Sequence, residues 1–272
     1  MTDGTGGGVA GSPDRRGGIS RDAVSSGDAS GKGREGINLP GGVPERVPPP
    51  PPDGAARIFG DRLNVAEQFT AILTDSGVSH GLIGPREVPR LWERHVLNCA
   101  VIHSAIPVDA RVIDVGSGAG LPGLALAIAR PDLDLHLIEP MLRRTNWLSM
   151  AVNELGLTNV TVHRGRAEQF WGVLSAPIVT ARAVARLSEL ATWCLPLLMP
   201  GGSLLAIKGS SVMEEVEADR AALRRLGAVD EVIESFGSGV VDQETTVLRV
   251  VLGDGSFAHG AAGKKSKRKR RG

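Results

Sequence analysis

From about residue 58 to residue 252, apolar positions recur with two different periods. A spacing of three or four residues, typical of a helix, extends from Asn64 to Leu73 and again from Val88 to Ser104. Beyond residue 111, short β-branched runs alternate with helical segments, which predicts a parallel sheet covered on both faces. Two final β-rich runs joined by a glycine turn predict an antiparallel hairpin at the end of that sheet. The predicted strands cover residues 111–115, 134–139, 159–164, 177–181, 203–208, 229–236 and 244–252, and the predicted helices between them cover residues 121–130, 141–156, 186–198 and 212–226.

Outside this patterned region the chain has few residues that could form a core. Residues 1–57 are rich in Gly, Ser and Pro and include five consecutive prolines from Pro48 to Pro52, which predicts a disordered tail ending in a stiff spacer. Residues 254–272 are predicted to form a second disordered tail, which is basic. Between the tails we expect an N-terminal helical extension over 58–108 and the sheet domain over 109–253.

The net charge of the whole chain hides an uneven distribution. The 272 residues carry a formal charge of +1 at pH 7, yet the stretch from Lys264 to Arg271 alone contains seven cations. The rest of the chain therefore carries a net charge of −6. An acidic domain repels a polyphosphate, so any nucleic-acid function would depend on this tail or on local clusters of arginine.

The sequence also predicts the cellular setting. No apolar run is long enough to span a bilayer and the amino terminus does not resemble a signal peptide, so we expect a cytoplasmic protein with no membrane partner. Cys99 and Cys194 lie in apolar helical stretches, which favours small buried residues of a reduced protein over a disulfide. Neither has the spacing of a metal ligand, and no metal is expected.

The sequence VIDVGSGAGLPG, from Val112 to Gly123, carries the strongest chemical signal. It predicts a buried strand, a glycine turn and the start of a helix, and the free N–H groups of that helix would point at a ligand above the turn. Glycines in the turn can take positive φ and let a ligand approach the backbone. In an open α/β sheet this crevice is where ligands bind. The loop residues expected beside the ligand are Asp114, Gly116, Gly118 and Gly120.

Two classes of cofactor could use this loop. The run from Gly118 to Gly123 satisfies the dinucleotide pattern GxGxxG. The frame from Asp114 to Gly120 instead matches the strand-end pattern of S-adenosylmethionine (SAM) methyltransferases, in which an acid precedes the glycines. Glu139 ends the next strand and could accept both hydroxyls of an adenosine ribose in either cofactor. Asp114 favours SAM, because a carboxylate attracts the cationic cofactor and repels a pyrophosphate.

Charged residues recur where other strands are predicted to end. Such residues are expensive to bury unless they face the crevice, so together they predict a site. From the third strand onward these strand-end residues are basic. A basic site suits an acceptor that is nucleophilic when neutral, such as guanine N7. Arginine and lysine can also contact guanine O6 and phosphate. No histidine–carboxylate pair is evident as a general base. The strand-end set is Asp114, Glu139, Arg166, Arg182 and Lys208.

Two further groups could contact a nucleic acid. Arg143 and Arg144 lie in the first turn of the helix after the second strand, where the helix dipole disfavours cations. They indicate either an anionic ligand or ordinary surface arginines. Arg94 and His95 lie on the second face of the helix over 88–104, and His95 is either a substrate contact or a histidine of the helix surface. The sequence leaves both alternatives open.

Five segments, ERHVLNCAVI, VIDVGSGAGLPG, RGRAEQF, ARAVARL and LLAIKG, together resemble one known family. Over residues 62–252 the chain is similar to the bacterial 16S ribosomal RNA guanine-N7 methyltransferases, historically called glucose-inhibited division protein B. The resemblance implies a Rossmann-like, seven-stranded SAM-dependent methyltransferase sheet with helices on both faces. It also implies methylation of guanine N7 in 16S ribosomal RNA of the small subunit, with SAM as cofactor. The family's Asn-Leu-Thr appears here as Gly81-Leu-Ile83, and its Arg-His as Glu244-Thr245.

The resemblance also assigns roles to residues. It implies substrate handling or catalysis by Arg166 and Lys208. Arg182 is also expected to be catalytic, because the end of the fourth predicted strand lies directly above the methyl group of the cofactor. We also expect RNA contacts from Arg94, His95, Arg143, Arg144 and Lys208. The SAM contacts implied by the family are Gly116, Leu121, Ala167, Glu168 and Arg182.

Two other functions stay open at this stage. A small-molecule methyltransferase could use the same fold, although it would need an aromatic, closed pocket and the chain has no tyrosine and five phenylalanines. A non-catalytic protein that binds RNA or the ribosome is the other alternative. The expected partner is the 16S ribosomal RNA or the small ribosomal subunit, and the expected oligomeric state is a monomer.

Overall fold

The strands form one mixed sheet in the computed structural model, which describes residues 47–182 and 185–255. The seven strands are β1 (Arg111–Val115), β2 (Asp134–Glu139), β3 (Val160–Arg164), β4 (Ala176–Arg182), β5 (Leu198–Ile207), β6 (Ala228–Phe236) and β7 (Thr245–Leu252). Their order across the sheet is β3-β2-β1-β4-β5-β7-β6. The first five are parallel, and β7 runs antiparallel to both β5 and β6. This arrangement confirms the predicted α/β sheet and its terminal hairpin.

The fifth strand begins earlier than predicted. The apolar pattern predicted that this strand starts at residue 203, but the chain already pairs through Leu198 with Ala176 of β4. Gly201 has a φ of 73°, and the register shifts between the pairs at Ala176 and Ile178. Gly201 therefore lies at an irregularity within β5, whereas the sequence pattern predicted that the strand starts only after this residue.

Seven α-helices cover the two faces of the sheet in the described part of the chain. The first five pack with the apolar side chains of one face, including Leu135 and Leu137, and the last two pack on the other face, which includes Ile113 and Val179. Residues 1–46 and 256–272, which include most of both predicted tails, lie outside the described residues. The helices are α1 (Asp53–Phe59), α2 (Leu63–Ile72), α3 (Leu97–Ala100), α4 (Gly123–Ala129), α5 (Leu142–Glu154), α6 (Leu187–Cys194) and α7 (Val212–Arg225).

The folded part begins before residue 58, where the sequence analysis set its start. Ala55 and Phe59 of α1 are buried, and the Phe59 ring packs edge-on against Trp92 with centroids 6.3 Å apart. The Trp92 indole N–H also donates to the carbonyl of Pro49 at 2.9 Å. The predicted boundary at residue 57 is therefore too late. A helix of seven residues that includes two Ala and one Gly has too few large apolar positions to reveal a period.

The segment predicted as one helix over 88–104 is helical but irregular. It consists of a 3₁₀ segment (Pro85–Arg90), a π-helical segment (Leu91–Val96), α3, and a second 3₁₀ segment (Val101–Ala105). Pro89 lies inside the first segment and cannot donate a backbone hydrogen bond. Such π-helical turns re-aim side chains and are frequent near functional sites. This one carries two of the predicted RNA contacts.

Two classes of feature are absent from residues 47–182 and 185–255. No helix in these ranges combines the length and the apolar character needed to cross a bilayer. No three histidine, cysteine or acidic side chains in the same ranges are grouped so that they could hold a metal ion. Cys99 and Cys194 are both buried and unpaired with each other.

Candidate active site

The site lies where β1 and β4 end side by side in the middle of the sheet. The connections from these two strands lead to opposite sides, which opens a crevice at their carboxyl ends. A small cavity of about 170 Å³ lies on the β3 side of the crevice, and a second cavity of about 240 Å³ lies over the glycine loop. Gly116 lines both. We call them the β3-side cavity and the loop cavity.

A larger groove adjoins the loop cavity. It has a volume of about 580 Å³ and runs between the helical segment over 85–100, the end of β5 and the loop before β7. His95 and Arg182 line both the groove and the loop cavity, so these two side chains stand at the boundary between them. Arg94 and Lys208, two other predicted RNA contacts, also line this groove.

The glycine loop has the backbone that the sequence predicted. Gly116, Gly118 and Gly120 have φ angles of 74°, 54° and 77°, where a residue with a Cβ is strained. A Cβ on Gly120 would lie 2.4 Å from Leu124, whereas one on Gly118 would meet only the Gly116 carbonyl, at 3.7 Å. Gly118 therefore faces open space. Leu121 also lines the loop cavity.

Asp114 does not face the ligand space, which corrects the sequence prediction. The residue is fully buried, and one carboxylate oxygen accepts a hydrogen bond from the Thr180 hydroxyl at 3.0 Å. The other oxygen accepts the backbone N–H of Gly123 at 3.3 Å. Burial raises the pKa of the Asp114 carboxyl to about 6, against the opposing effect of these hydrogen bonds. Asp114 supports the loop from below and joins β1 to β4.

Glu139 is also buried, and its carboxylate lies against the glycine loop. Its Oε2 atom accepts the backbone N–H of Gly118 at 3.1 Å, and its Oε1 atom accepts that of Met141 at 3.0 Å. Arg144 Nη1 lies 3.9 Å from Oε2. The carboxylate is therefore held next to the glycine loop, at the end of β2, where the sequence analysis expected an acceptor for ribose hydroxyls.

The guanidinium of Arg182 reaches from the end of β4 into the N-terminal helical region. It donates to the Cys99 sulfur at 2.9 Å, to the Arg94 carbonyl at 3.1 Å and to Nδ1 of His95 at 2.8 Å. Burial raises the pKa of the Cys99 thiol, so the group beside Arg182 is a neutral thiol. Together these three hydrogen bonds fix Arg182 between the loop cavity and the groove.

A histidine–carboxylate pair, which the sequence analysis did not find, completes this network. Nε2 of His95 lies 2.9 Å from the Glu87 carboxylate. A guanidinium can only donate, so Nδ1 of His95 is the acceptor for Arg182 and Nε2 carries the proton that Glu87 accepts. Burial and the charge of Arg182 lower the pKa of His95, which keeps this neutral form. His95 is thus neither free in solvent nor free to act as a base.

Lys208 follows β5 and points toward the same groove. Its ammonium donates to the Glu215 carboxylate of α7 at 2.8 Å and to the Ala185 carbonyl at 3.4 Å. The side chain is about one-tenth exposed. The charge of Lys208 is therefore partly balanced by Glu215 within the protein. The residue lies at the wall of the groove, one position after the end of β5.

The segment after β3 forms the wall of the β3-side cavity. Arg166, Ala167 and Glu168 all line it, as the family resemblance implied for two of them. Trp193 of α6 also lines this cavity, although no motif in the sequence pointed to it. Nothing in the local sequence distinguishes this tryptophan from a core residue, because α6 reads as an ordinary amphipathic helix.

The two arginines at the start of α5 have different surroundings. Arg144 lines the loop cavity next to Glu139. Arg143 is exposed and lines neither of the two cavities nor the groove. The structure therefore brings Arg94, His95, Arg182 and Lys208 together around the groove and leaves Arg143 on a separate surface.

Comparison with known proteins gives one consistent result. The family model described as rRNA small subunit methyltransferase G matches residues 62–246. Three similar proteins carry the name Ribosomal RNA small subunit methyltransferase G. The protein from Streptomyces avermitilis is 51% identical over 225 residues, which cover 82% of this chain and 94% of that protein. The protein from Pseudarthrobacter chlorophenolicus is 56% identical over 198 residues, covering 73% and 92%, and that from Streptomyces coelicolor is 52% identical over 225 residues, covering 82% and 94%.

Proposed function

The chain belongs to the rRNA small subunit methyltransferase G family, and from this premise we propose that it transfers a methyl group from SAM to N7 of a guanine in 16S ribosomal RNA. The family resemblance drawn from the sequence is thereby confirmed, and the chain is a methyltransferase. The observation that carries the proposal is the shared boundary of the loop cavity and the groove, which both use His95 and Arg182. A cofactor and an acceptor bound in these two spaces would meet there. The proposal includes a cytoplasmic location, because ribosomal subunits are assembled in the cytoplasm.

The residues of the crevice fit SAM. The β3-side cavity is lined mainly by apolar groups and would hold the adenine ring between Ile138, Ala167 and Trp193. The Glu139 carboxylate would accept the ribose hydroxyls from its place beside Gly118. The open space above Gly118, where a Cβ would project, would hold the rest of the cofactor. Arg182 and Leu121 line that space.

Bound SAM would supply a methyl group activated by its sulfonium. Guanine N7 has a lone pair at neutral pH, so the protein does not need to remove a proton and needs only to align the base. This agrees with the state of His95, whose Nδ1 accepts from Arg182 and whose Nε2–H donates to Glu87. The hydrogen bonds among Glu87, His95 and Arg182 would hold Arg182 in place and would not transfer a proton. Lys208 and Arg182 are cations that could donate to guanine O6 or to a phosphate.

The shape of the groove favours a large acceptor over a small molecule. The groove has a volume of about 580 Å³, and most of its lining residues are polar or charged. A site for a small apolar acceptor would instead be an enclosed cavity with aromatic walls. RNA base edges offer hydrogen-bond donors and acceptors that match such a lining. The groove therefore supports ribosomal RNA as the acceptor class.

The test uses the full-length chain, radiolabelled SAM and small ribosomal subunits from a strain that lacks this modification. We expect label in 16S ribosomal RNA at one guanine, and strand cleavage at that guanine after borohydride and aniline treatment, which is specific for N7-methylguanine. A Gly118→Val variant, checked for folding, serves as the inactive control. Label at another base or another atom, or transfer to small molecules only, would contradict the proposal.

A further inference from the structure

The charges around the groove largely cancel. Four basic side chains line it, but four acidic side chains lie among them, and one of these acids, Glu87, already pairs with His95 and Arg94. A surface of this kind can read base edges, but it has little net attraction for a phosphate backbone. The basic members are Arg90, Arg94, Arg182 and Lys208, and the acidic members are Glu87, Glu93, Asp242 and Glu244.

The opposite side of the crevice is different. Arg143, Arg164 and Arg166 are exposed there, and none of the three forms an ion pair with a residue that the structure describes. Arg164 and Arg166 line an open depression of about 600 Å³ whose described lining contains no acid. Glu168 is an exposed acid on this side and lines the β3-side cavity with Arg166. Three guanidinium groups against this one exposed carboxylate still make this the more strongly positive side of the crevice.

Sheet register brings these arginines to one edge. Arg164 is the last residue of β3 and is the register partner of Glu139, the last residue of β2. Arg143 follows Glu139 by four residues, in the first turn of α5. The helix dipole disfavours a cation at that position, so nothing in the helix itself stabilises Arg143. An anion bound from outside the protein would stabilise the charge of Arg143.

Two exposed apolar side chains accompany the arginines. Met141 and Leu142, directly before Arg143, are 46% and 51% exposed, and Pro140 before them is exposed as well. Pro140 also lines the depression. Guanidinium groups next to exposed apolar side chains suit a single-stranded nucleic acid, because they pair with phosphates while bases and sugars cover the apolar surface.

We propose that this surface, formed by Pro140 to Arg143 together with Arg164 and Arg166, binds the phosphate backbone of the substrate RNA beside the target guanine. We call it the phosphate lip. The inference rests on the proposed function and adds to it that two separate surfaces bind the RNA. The phosphate lip supplies attraction for RNA on the β3 side of the cofactor, and the groove on the Lys208 side receives the target base.

The experiment measures methyl transfer by the full-length chain at several salt concentrations. The variant is Arg143→Gln/Arg164→Gln, which leaves Arg166 and the wall of the β3-side cavity unchanged. The control is Arg225→Gln, which removes an exposed arginine at the end of α7. This residue lines neither the two cavities nor the groove nor the depression. SAM affinity is measured by calorimetry for every protein.

We expect the double variant to raise the Michaelis constant for the RNA about three- to tenfold, the effect of losing two exposed charge contacts. The dependence of log affinity on log salt concentration should flatten by about 0.7 for each lost contact. SAM affinity should be unchanged, and the Arg225→Gln control should match the parent protein.

Three results would separate the possible failures. Unchanged Michaelis constant and salt dependence in the double variant, with transfer to RNA intact, would overturn the phosphate lip and leave the proposed function standing. Absence of transfer by the parent protein would overturn the proposed function itself. If the variant lost activity on assembled subunits but not on protein-free 16S ribosomal RNA, the surface would bind a ribosomal protein, and the inference would be wrong.

Discussion

Nδ1 of His95 lies 2.8 Å from the guanidinium of Arg182, and the two residues are 87 positions apart in the chain. This hydrogen bond ties the π-helical segment over 91–96 to the end of β4. Because Arg182 can only donate, the bond exists only while His95 is neutral. Protonation of His95 would therefore remove one of the three hydrogen bonds that hold Arg182 between the loop cavity and the groove.

We expect His95→Leu to lower kcat/KM by about tenfold or more, because it removes the acceptor for Arg182 and leaves the Glu87 carboxylate without its donor. The parent enzyme should also lose activity on its acid side, at a pH below the ordinary histidine value, because burial lowers the pKa of His95. The measurement is the pH profile of kcat/KM with saturating SAM.

The His95→Gln variant provides the matched control, since a glutamine carbonyl could still accept from Arg182. It should keep more activity than His95→Leu and should not show the acid limb. If His95→Leu retains the acid limb of the parent, the network does not set the position of Arg182.

The second prediction concerns the buried carboxyl of Asp114. Burial raises its pKa from an ordinary value near 3.8 to about 6, so the native state holds this proton more tightly than the unfolded chain does. The stability contributed by the protonated form is complete below about pH 4 and is lost as the pH rises to about 6. The loss amounts to about 3 kcal/mol.

Asp114→Asn should remove this component of the pH dependence. The measurement is the free energy of unfolding by urea between pH 4.5 and 7, expressed as the difference between variant and parent. Asp61→Asn, which also replaces an aspartate but at an exposed position, serves as the control variant. A difference for Asp114→Asn that does not vary with pH would show that the buried carboxyl is not perturbed.

The third prediction separates ligand space from protein packing in the glycine loop. Gly118→Ala should fold with a cost of about 1 kcal/mol for the positive φ, because its Cβ meets only a carbonyl at 3.7 Å, and it should bind SAM weakly. Gly123→Ala should instead destabilise the fold by about 1–3 kcal/mol, since its Cβ would lie 2.3 Å from Leu137. Thermal unfolding and calorimetry distinguish the two effects. Normal SAM affinity in folded Gly118→Ala would contradict the placement of the cofactor.

The fourth prediction tests the acid at the end of β2. Glu139→Ala should weaken SAM binding by about 1.5–3 kcal/mol, the range for a hydrogen bond to a charged group. Because the carboxylate also accepts the backbone N–H groups of Gly118 and Met141, the melting temperature should fall as well. Binding of SAM and NAD is measured by calorimetry. Tighter binding of NAD than SAM by the parent protein would favour the dinucleotide alternative.

The fifth prediction concerns the basic tail, whose residues lie outside the described part of the chain. Deleting residues 264–272 removes seven cations and should raise the Michaelis constant for RNA and flatten its salt dependence. SAM affinity should not change, because the cavities assigned to the cofactor are lined by residues of the glycine loop and the neighbouring strand ends. The Michaelis constant for RNA at two salt concentrations provides the test, and identical values with and without the tail would leave it no part in substrate binding.

The sequence by itself determined the sheet. For β1 and β2 the predicted limits coincide with those observed, and β3, β4, β6 and β7 agree within one residue at each end. Alternation and helical spacing are local properties, and burial of one face is enough to enforce them. The glycine loop was equally clear, because positive φ at three nearby positions requires glycine.

Only the tertiary structure decided what the polar residues touch. Spacing located Asp114 and Glu139 at strand ends, but not that the first accepts the backbone N–H of Gly123 and the second that of Gly118. It also could not reveal the partnership of His95 with Glu87 and Arg182, or the closure of the β3-side cavity by Trp193. These contacts join residues far apart in the chain, and a local pattern contains no information on which distant partner a side chain will meet. The physical reason is that a hydrogen bond depends on direction and distance in three dimensions, whereas a hydrophobic period depends only on which face of an element is buried.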